Sequence, residues 1–467
     1  MTTPVKAPVM TSVKPSLKTS VMEDLRLAWQ LTRGSDRREW WRVLLTAVGA
    51  ALATGFGLAA LGIGAVRGIV EFPYLNGLLD EPGVRSGVVV ALLLLLVPVL
   101  GFLAQCARIG AVHRDRRLAS LRLVGATAPQ VRRIAALEAG LACLLGSALA
   151  ASVAVPLVLL LWERPPLWLW AGFALVTLAV PVVAALVSVL ALRRVVASPL
   201  GWVRRVRPER GGSALLTLGA PALLVGVAGA LVLTGGRQLS YAAFPLAVFG
   251  AVTLTAVGSV AIAGATARVM GWWLAARTGN PAVLIAAERL RTDPWAAART
   301  HAAVLLVTIV GVSFLGIRQI LLDDLNGPGH SRSPEDTAFY TTGINLAGAA
   351  VLVALAITLS GLAVGAAESL ATRRRGLAAQ AAAGVPRAVL GRALLLETAL
   401  PLAPAMLLAG LGGTAVYLAY GIATDVSVPL LLPLLFPLAV YASCLLAAAT
   451  ALPLLRRVAQ PGELRYA

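Results

Sequence analysis

The chain has 467 residues, of which 58% are hydrophobic and 13% charged, and its mean hydropathy is +0.84. A soluble chain carries about 25% charged residues, so this composition excludes an ordinary soluble domain and indicates an all-α integral membrane protein. The net charge of +19 is read as basic residues gathered on cytoplasmic loops, not as a surface for nucleic acid.

Only three lysines (Lys6, Lys14, Lys18) stand among the 40 basic residues. The arginine excess fits a GC-rich bacterial genome. A Walker A loop needs Gly-Lys-Ser/Thr to hold phosphates, and none of the three lysines follows a Gly. The chain therefore carries no normal P-loop, and any ATPase working with it is another polypeptide.

In chain order, residues 1–19 read as a disordered cytoplasmic tail. The first 40 or so residues are too polar for an ordinary signal-peptide leader. Ser20–Glu23 fits a capping box, and Val21, Met22, Leu25, Ala28 and Trp29 form an apolar stripe. That pattern predicts a helix along the inner membrane surface. A crossing helix needs about 20 apolar residues. Ten charge-free runs qualify or nearly so: 43–66, 86–107, 139–162, 167–192, 213–236, 238–267, 300–317, 337–367, 398–424 and 426–455. The seventh is the shortest. Asn280-Pro281 marks another helix start, with Pro at the first position.

Charge fixes the orientation. Alternate loops starting with 67–85 carry 6 basic and 9 acidic residues in all, and the rest of the chain carries 34 and 12. The positive-inside rule then puts both termini in the cytoplasm, in a bacterial plasma membrane.

One passage occurs twice, 259 residues apart. The first copy has an arginine cluster with Arg116 and Arg117, then Gly125, Arg132, Arg133 and Glu138. The second has Arg373, Arg374 and Arg375, then Gly384, Arg392 and Glu397. In both copies a Glu follows the Gly by thirteen positions. Internal duplication is a feature of many transporters. The chain divides accordingly into a first four-span half (20–194), a central two-span insert (195–279), a second four-span half (280–457) and a C-terminal tail (458–467). An even number of spans separates the copies, so the halves are expected as a parallel repeat about an axis along the membrane normal.

The passage has a physical reading. The second span of each half runs on as a stalk ending in arginines. Gly125 and Gly384 reverse the chain because Gly tolerates positive φ. The segments 126–133 and 385–392 are expected as short separate helices. Glu138 and Glu397 enter the membrane, where a carboxylate is costly unless paired. Arg133, Arg392 or the stalk arginines are the expected partners. A bland alternative makes all of these interfacial and positive-inside residues.

These residues resemble the FtsX-like permease family of ABC transporters. The pattern is carried by Arg116, Arg117, Leu123–Thr127, Arg132, Arg133 and Glu138. The second copy departs from it, with Val385-Pro386 in place of Ala126-Thr127. Ten spans in a 4+2+4 order, with no large outer domain, look like the MacB/BceB-type permeases and their antimicrobial-peptide-resistance branch. The resemblance implies that Gly125, Ala126, Thr127 and the flanking arginines, with Gly384, Val385, Pro386, Arg387 and Arg392, form two coupling elements. These would dock a cytoplasmic ABC ATPase that binds ATP and Mg, either in two copies on one permease chain or with the chain paired with itself or a sister permease. The chain itself would be no enzyme and would hold no cofactor. The substrates implied are amphipathic: peptides, lipids, lipoproteins or hydrophobic drugs.

Two other readings stay open. One is a non-transporting regulator of the same family that transmits motion. The other is an ion-coupled secondary transporter, disfavoured because the ten runs hold no Asp, Glu, Lys or Arg. His113, His301 and His330 show no metal spacing. Cys106, Cys143 and Cys444 read as small core residues, and Trp168, Trp170, Trp272 and Trp273 as an interfacial belt.

Overall fold

A computed structural model describes residues 37–68, 75–80, 82–106, 120, 123–162, 165–191, 243–326, 333–424 and 431–458. Among the described residues every regular element is helical. The first group is α1 (Arg37–Ala65), α2 (Pro82–Cys106), α3 (Ala128–Leu161) and α4 (Leu167–Ala191). Then come α5 (Ala243–Arg277), the short α6 (Pro281–Thr292), α7 (Pro294–Asn326), α8 (Pro334–Thr372), the short α9 (Arg374–Ala382), α10 (Arg387–Thr424), α11 (Leu431–Ala449) and the short α12 (Leu452–Val458). Nine helices among the described residues are long and apolar enough to cross a membrane. The fifth apolar run, 213–236, the predicted helix near residue 20 and both tails lie outside the described residues, as do Arg116 and Arg117.

The helices pack as two groups. In the N-terminal bundle α1 lies against α2, α3 and α4, with α3 on α4. In the C-terminal bundle α7 lies against α8, α10 and α11, and α5 covers α7 and α10. The bundles meet chiefly where α2 packs on α8. There Gly361 faces Phe102, and a Cβ on Gly361 would sit 3.5 Å from the Phe102 Cα. These two residues are 259 positions apart, the spacing of Gly125 and Gly384. At the end away from the glycine turns, Asn76 Nδ2 donates to Thr342 Oγ1 at 2.9 Å, a second tie between the bundles.

Small residues set the closest helix approaches. A Cβ on Gly146 (α3) would lie 1.9 Å from the Ala47 carbonyl oxygen on α1, so those two backbones touch. Gly413 (α10) stands in the same way 2.7 Å from the Ile309 carbonyl oxygen on α7. Dispersion and close backbone approach hold helices together where lipid removes the hydrophobic drive.

Several helices run beyond the sequence boundaries. α5 reaches Arg277, ten residues past the apolar run that ends at Ala267, because Arg268 is accommodated within the helix. α7 covers Pro294–Asn326 where the charge-free run is only 300–317. α8, with 39 residues, is about 58 Å long at 1.5 Å per residue. A hydrocarbon core is about 30 Å thick, so α8 extends beyond it and ends at Arg373, as the stalk reading requires.

Candidate functional site

The two glycine turns have the expected backbone. Gly125 has φ +106° and Gly384 φ +90°, and neither has an atom within 4 Å of the position a Cβ would take. Conformation, not crowding, requires glycine there. Thr127 caps α3, with its N–H donating to Gln130 Oε1 at 3.3 Å. At the second turn, Val385 N–H donates to the Gln380 carbonyl at 3.0 Å, closing the end of α9.

The separate short helices expected at 126–133 and 385–392 are not formed. Residues 128–133 and 387–392 are instead the first turns of the long helices α3 and α10. Pro129 and Pro386 lie at the helix starts, where a missing N–H costs nothing. No breaker stands between Arg133 and Glu138 or between Arg392 and Glu397, so each helix runs unbroken into the membrane. The short helix that does exist, α9, precedes its glycine. It is split from the stalk at Arg373, which ends α8 and begins α9.

Each glutamate is the eleventh residue of its helix and is held by arginine. Glu138 pairs with Arg42 on α1, both nearly fully buried. Glu397 binds two arginines. Arg373 Nη1 donates to its two oxygens at 2.7 and 2.9 Å, and Arg289 Nη1, from α6, donates at 3.1 Å. Arg373 is one of the stalk arginines anticipated. Arg42 and Arg289 were not. Arg42 precedes its partner by 96 residues and Arg289 by 108, so local spacing carried no signal for either. The one available hint was α6 itself, whose cap was legible: Asn280 Oδ1 accepts from the Ala282 N–H at 3.0 Å.

The pairs are set in apolar packing. Leu370, Leu377, Leu390, Leu394, Ala451 and Leu455 form one buried cluster that joins α8, α9, α10 and the α11–α12 junction, with Ile285 of α6 against it. The outward surface at this end carries the remaining candidates. Arg375, Gly384, Pro386, Arg387 and Arg392 are exposed, while Arg374, Val385, Arg132, Arg133 and Ala126 are half-buried. At the first turn Leu123 and Val124 are 70% and 87% exposed, just before Gly125. Among the described residues no group of three His, Cys, Asp or Glu stands together as a metal site.

Long apolar helices, two glycine reversals at one end and membrane-entering glutamates neutralised by arginine make this a multi-span helical membrane protein. Comparison with known families narrows that class. Residues 88–200, from α2 past the end of α4, match the FtsX-like permease C-terminal family. That stretch contains Gly125, Glu138 and the first arginine cluster. FtsX-like permeases are typically non-catalytic membrane subunits that pair with ABC ATPases, so a domain of this kind implies an ABC transporter permease subunit. No curated protein matches the chain.

Proposed function

We propose that the chain is the permease subunit of an ABC transporter, coupling ATP hydrolysis by a separate cytoplasmic ATPase to export or extraction of an amphipathic substrate. The observation that carries the reading is the family match over 88–200, which contains the Gly125 turn. ATP and Mg are held by the partner. Each glycine turn is a docking element, so one permease chain takes two ATPase copies. The two bundles are the products of a duplication related by an axis along the membrane normal. The similar helix pairing, α1 with α3 and α7 with α10, and the meeting of Phe102 with Gly361 support that reading.

The mechanism follows from how the turns are built. A push on Gly125 or Gly384 acts on the first turn of a helix that continues unbroken into the membrane. No joint lies between the docking surface and the span. The Arg42–Glu138 pair ties that motion to α1, and the Arg373–Glu397–Arg289 cluster ties it to α6 and the stalk. Exposed Leu123 and Val124 supply an apolar contact at the first turn, and Arg375, Arg387 and Arg392 supply charge at the second. The test is a pull-down from native membranes, followed by ATPase assays on the recovered complex. An ATPase is expected to co-purify, and charge reversal at Arg387 and Arg392 is expected to lower its recovery. Recovery of the permease alone would refute the reading.

A further inference from the structure

The face where α1 crosses α3 holds a groove. Its volume is about 1100 Å³. It runs from Leu44 on α1 and Leu145 on α3 to Arg67 and Arg85 at the end away from the glycine turns. Leu44 to Ile63 along α1 is about 29 Å of helix, close to the thickness of a hydrocarbon core. Apart from Arg67, Arg85 and the Trp162 indole, every lining residue is apolar.

Among the described residues the matching positions of the two bundles differ in exposure. On α3, Val153 is 65% and Leu157 53% exposed. The residues 259 positions further on, Gly412 and Val416, are covered by α5. A Cβ on Gly412 would lie 2.2 Å from Thr255 Cγ2, and Val416 is 4% exposed against Val252 and Leu254. A helix thus fills in one bundle the place that is open, among the described residues, in the other.

Arg85 gives the groove its chemistry. It is 3% exposed. Its Nη2 donates to the Gly68 carbonyl, while among the described residues Nε and Nη1 have no hydrogen-bond partner. A guanidinium cannot deprotonate to escape burial, and a buried unpaired charge is strongly unfavourable. An anion at this mouth would relieve it, and phosphate and carboxylate match the guanidinium well. Exposed Arg67 lines the same mouth.

We propose that this groove binds an anionic lipid, with the headgroup phosphate on Arg85 and one acyl chain along α1 and α3. An extended peptide fits poorly, because its backbone amides would lie unsatisfied against a carbon-lined wall. The chain's own apolar run 213–236 offers no carboxylate for Arg85. The site stands apart from the permease reading and is measured with no ATPase present.

The experiment is native mass spectrometry of the full chain in detergent with dioleoyl phosphatidylglycerol, dioleoyl phosphatidylcholine or glycerol 3-phosphate added. Phosphatidylglycerol should be retained at least about tenfold better than phosphatidylcholine, and Arg85→Gln should remove about that factor. Val153→Trp, at an exposed position, should also lower retention by filling the groove, and it serves if Arg85→Gln fails to fold. Arg291→Gln, away from the groove, should change nothing. Equal retention of the two lipids, full competition by glycerol 3-phosphate, or indifference to both variants would overturn the proposal. So would near-complete disulfide formation in membranes between Val153→Cys and a cysteine placed in 213–236, since the chain would then occupy its own groove.

Discussion

The two glutamates sit at the same point of their helices and are neutralised in different ways. Glu138 is held by Arg42 from the first span, buried on both sides, with side chains 9% and 5% exposed. Glu397 is held by Arg289 from a short amphipathic helix and Arg373 from the stalk, whose side chain is 38% exposed. The position 259 residues beyond Arg42 is His301, also buried, so the second bundle has no arginine there. The same electrostatic requirement has been met by residues from different elements. What both sites keep is the carboxylate and the glycine thirteen positions before it. Where the cation comes from is free to vary, because any arginine that reaches the first turns of the span removes the cost of the buried charge.

That difference predicts an order of sensitivity. Glu138→Ala, which strands Arg42 in a buried site, should destabilise by about 3–5 kcal/mol, read as thermal stability in detergent. Replacing both Arg42 and Glu138 with Met should recover most of the loss. Glu397→Ala should cost less, about 1.5–3 kcal/mol, because Arg373 can turn to water. If Glu397→Ala were as damaging as Glu138→Ala, the distinction between a dry pair and a wetter cluster would fail.

The covered and open faces can be broken in the same way. Gly412→Val should cost about 1–3 kcal/mol by overpacking against Thr255. Val153→Leu, at the matching place on the open face, should leave thermal stability unchanged. Modest effects belong to the turns. Gly125→Ala and Gly384→Ala should each cost about 1–2 kcal/mol, from positive φ alone, and nearly equally, since both positions are open. A marked inequality would mean that one turn is packed and the other is not.

Features that depend on local chemistry were legible in the sequence. Positive φ at Gly125 and Gly384 follows from residue type and setting. The Asn280 cap and the stalk ending at Arg373 follow from neighbouring residues. Run lengths located nine helices, and where they erred it was at charged ends: α5 takes in Arg268, which a charge-free window must exclude. The expected short helices failed for a related reason. The arginines at 132–133 and 392 look like a boundary by charge, yet nothing in the backbone breaks there, so α3 and α10 start upstream of them, beside Pro129 and Pro386. The partners Arg42 and Arg289 were hidden because they come from about a hundred residues away. The open α1–α3 face was hidden as well, since Val153 and Leu157 look like any other apolar residues of a span. Only the packing of α5 on one bundle shows that the other differs.

The central claim is that each glycine turn docks one ATPase. The most direct measurement is the mass of the native complex purified from membranes, with the intact chain and with Leu123→Glu/Val124→Glu at the first turn. The account predicts two ATPase copies per permease chain in the intact complex, and one copy when the first turn is altered. Recovery of no ATPase, or an unchanged two copies with the altered turn, would contradict it.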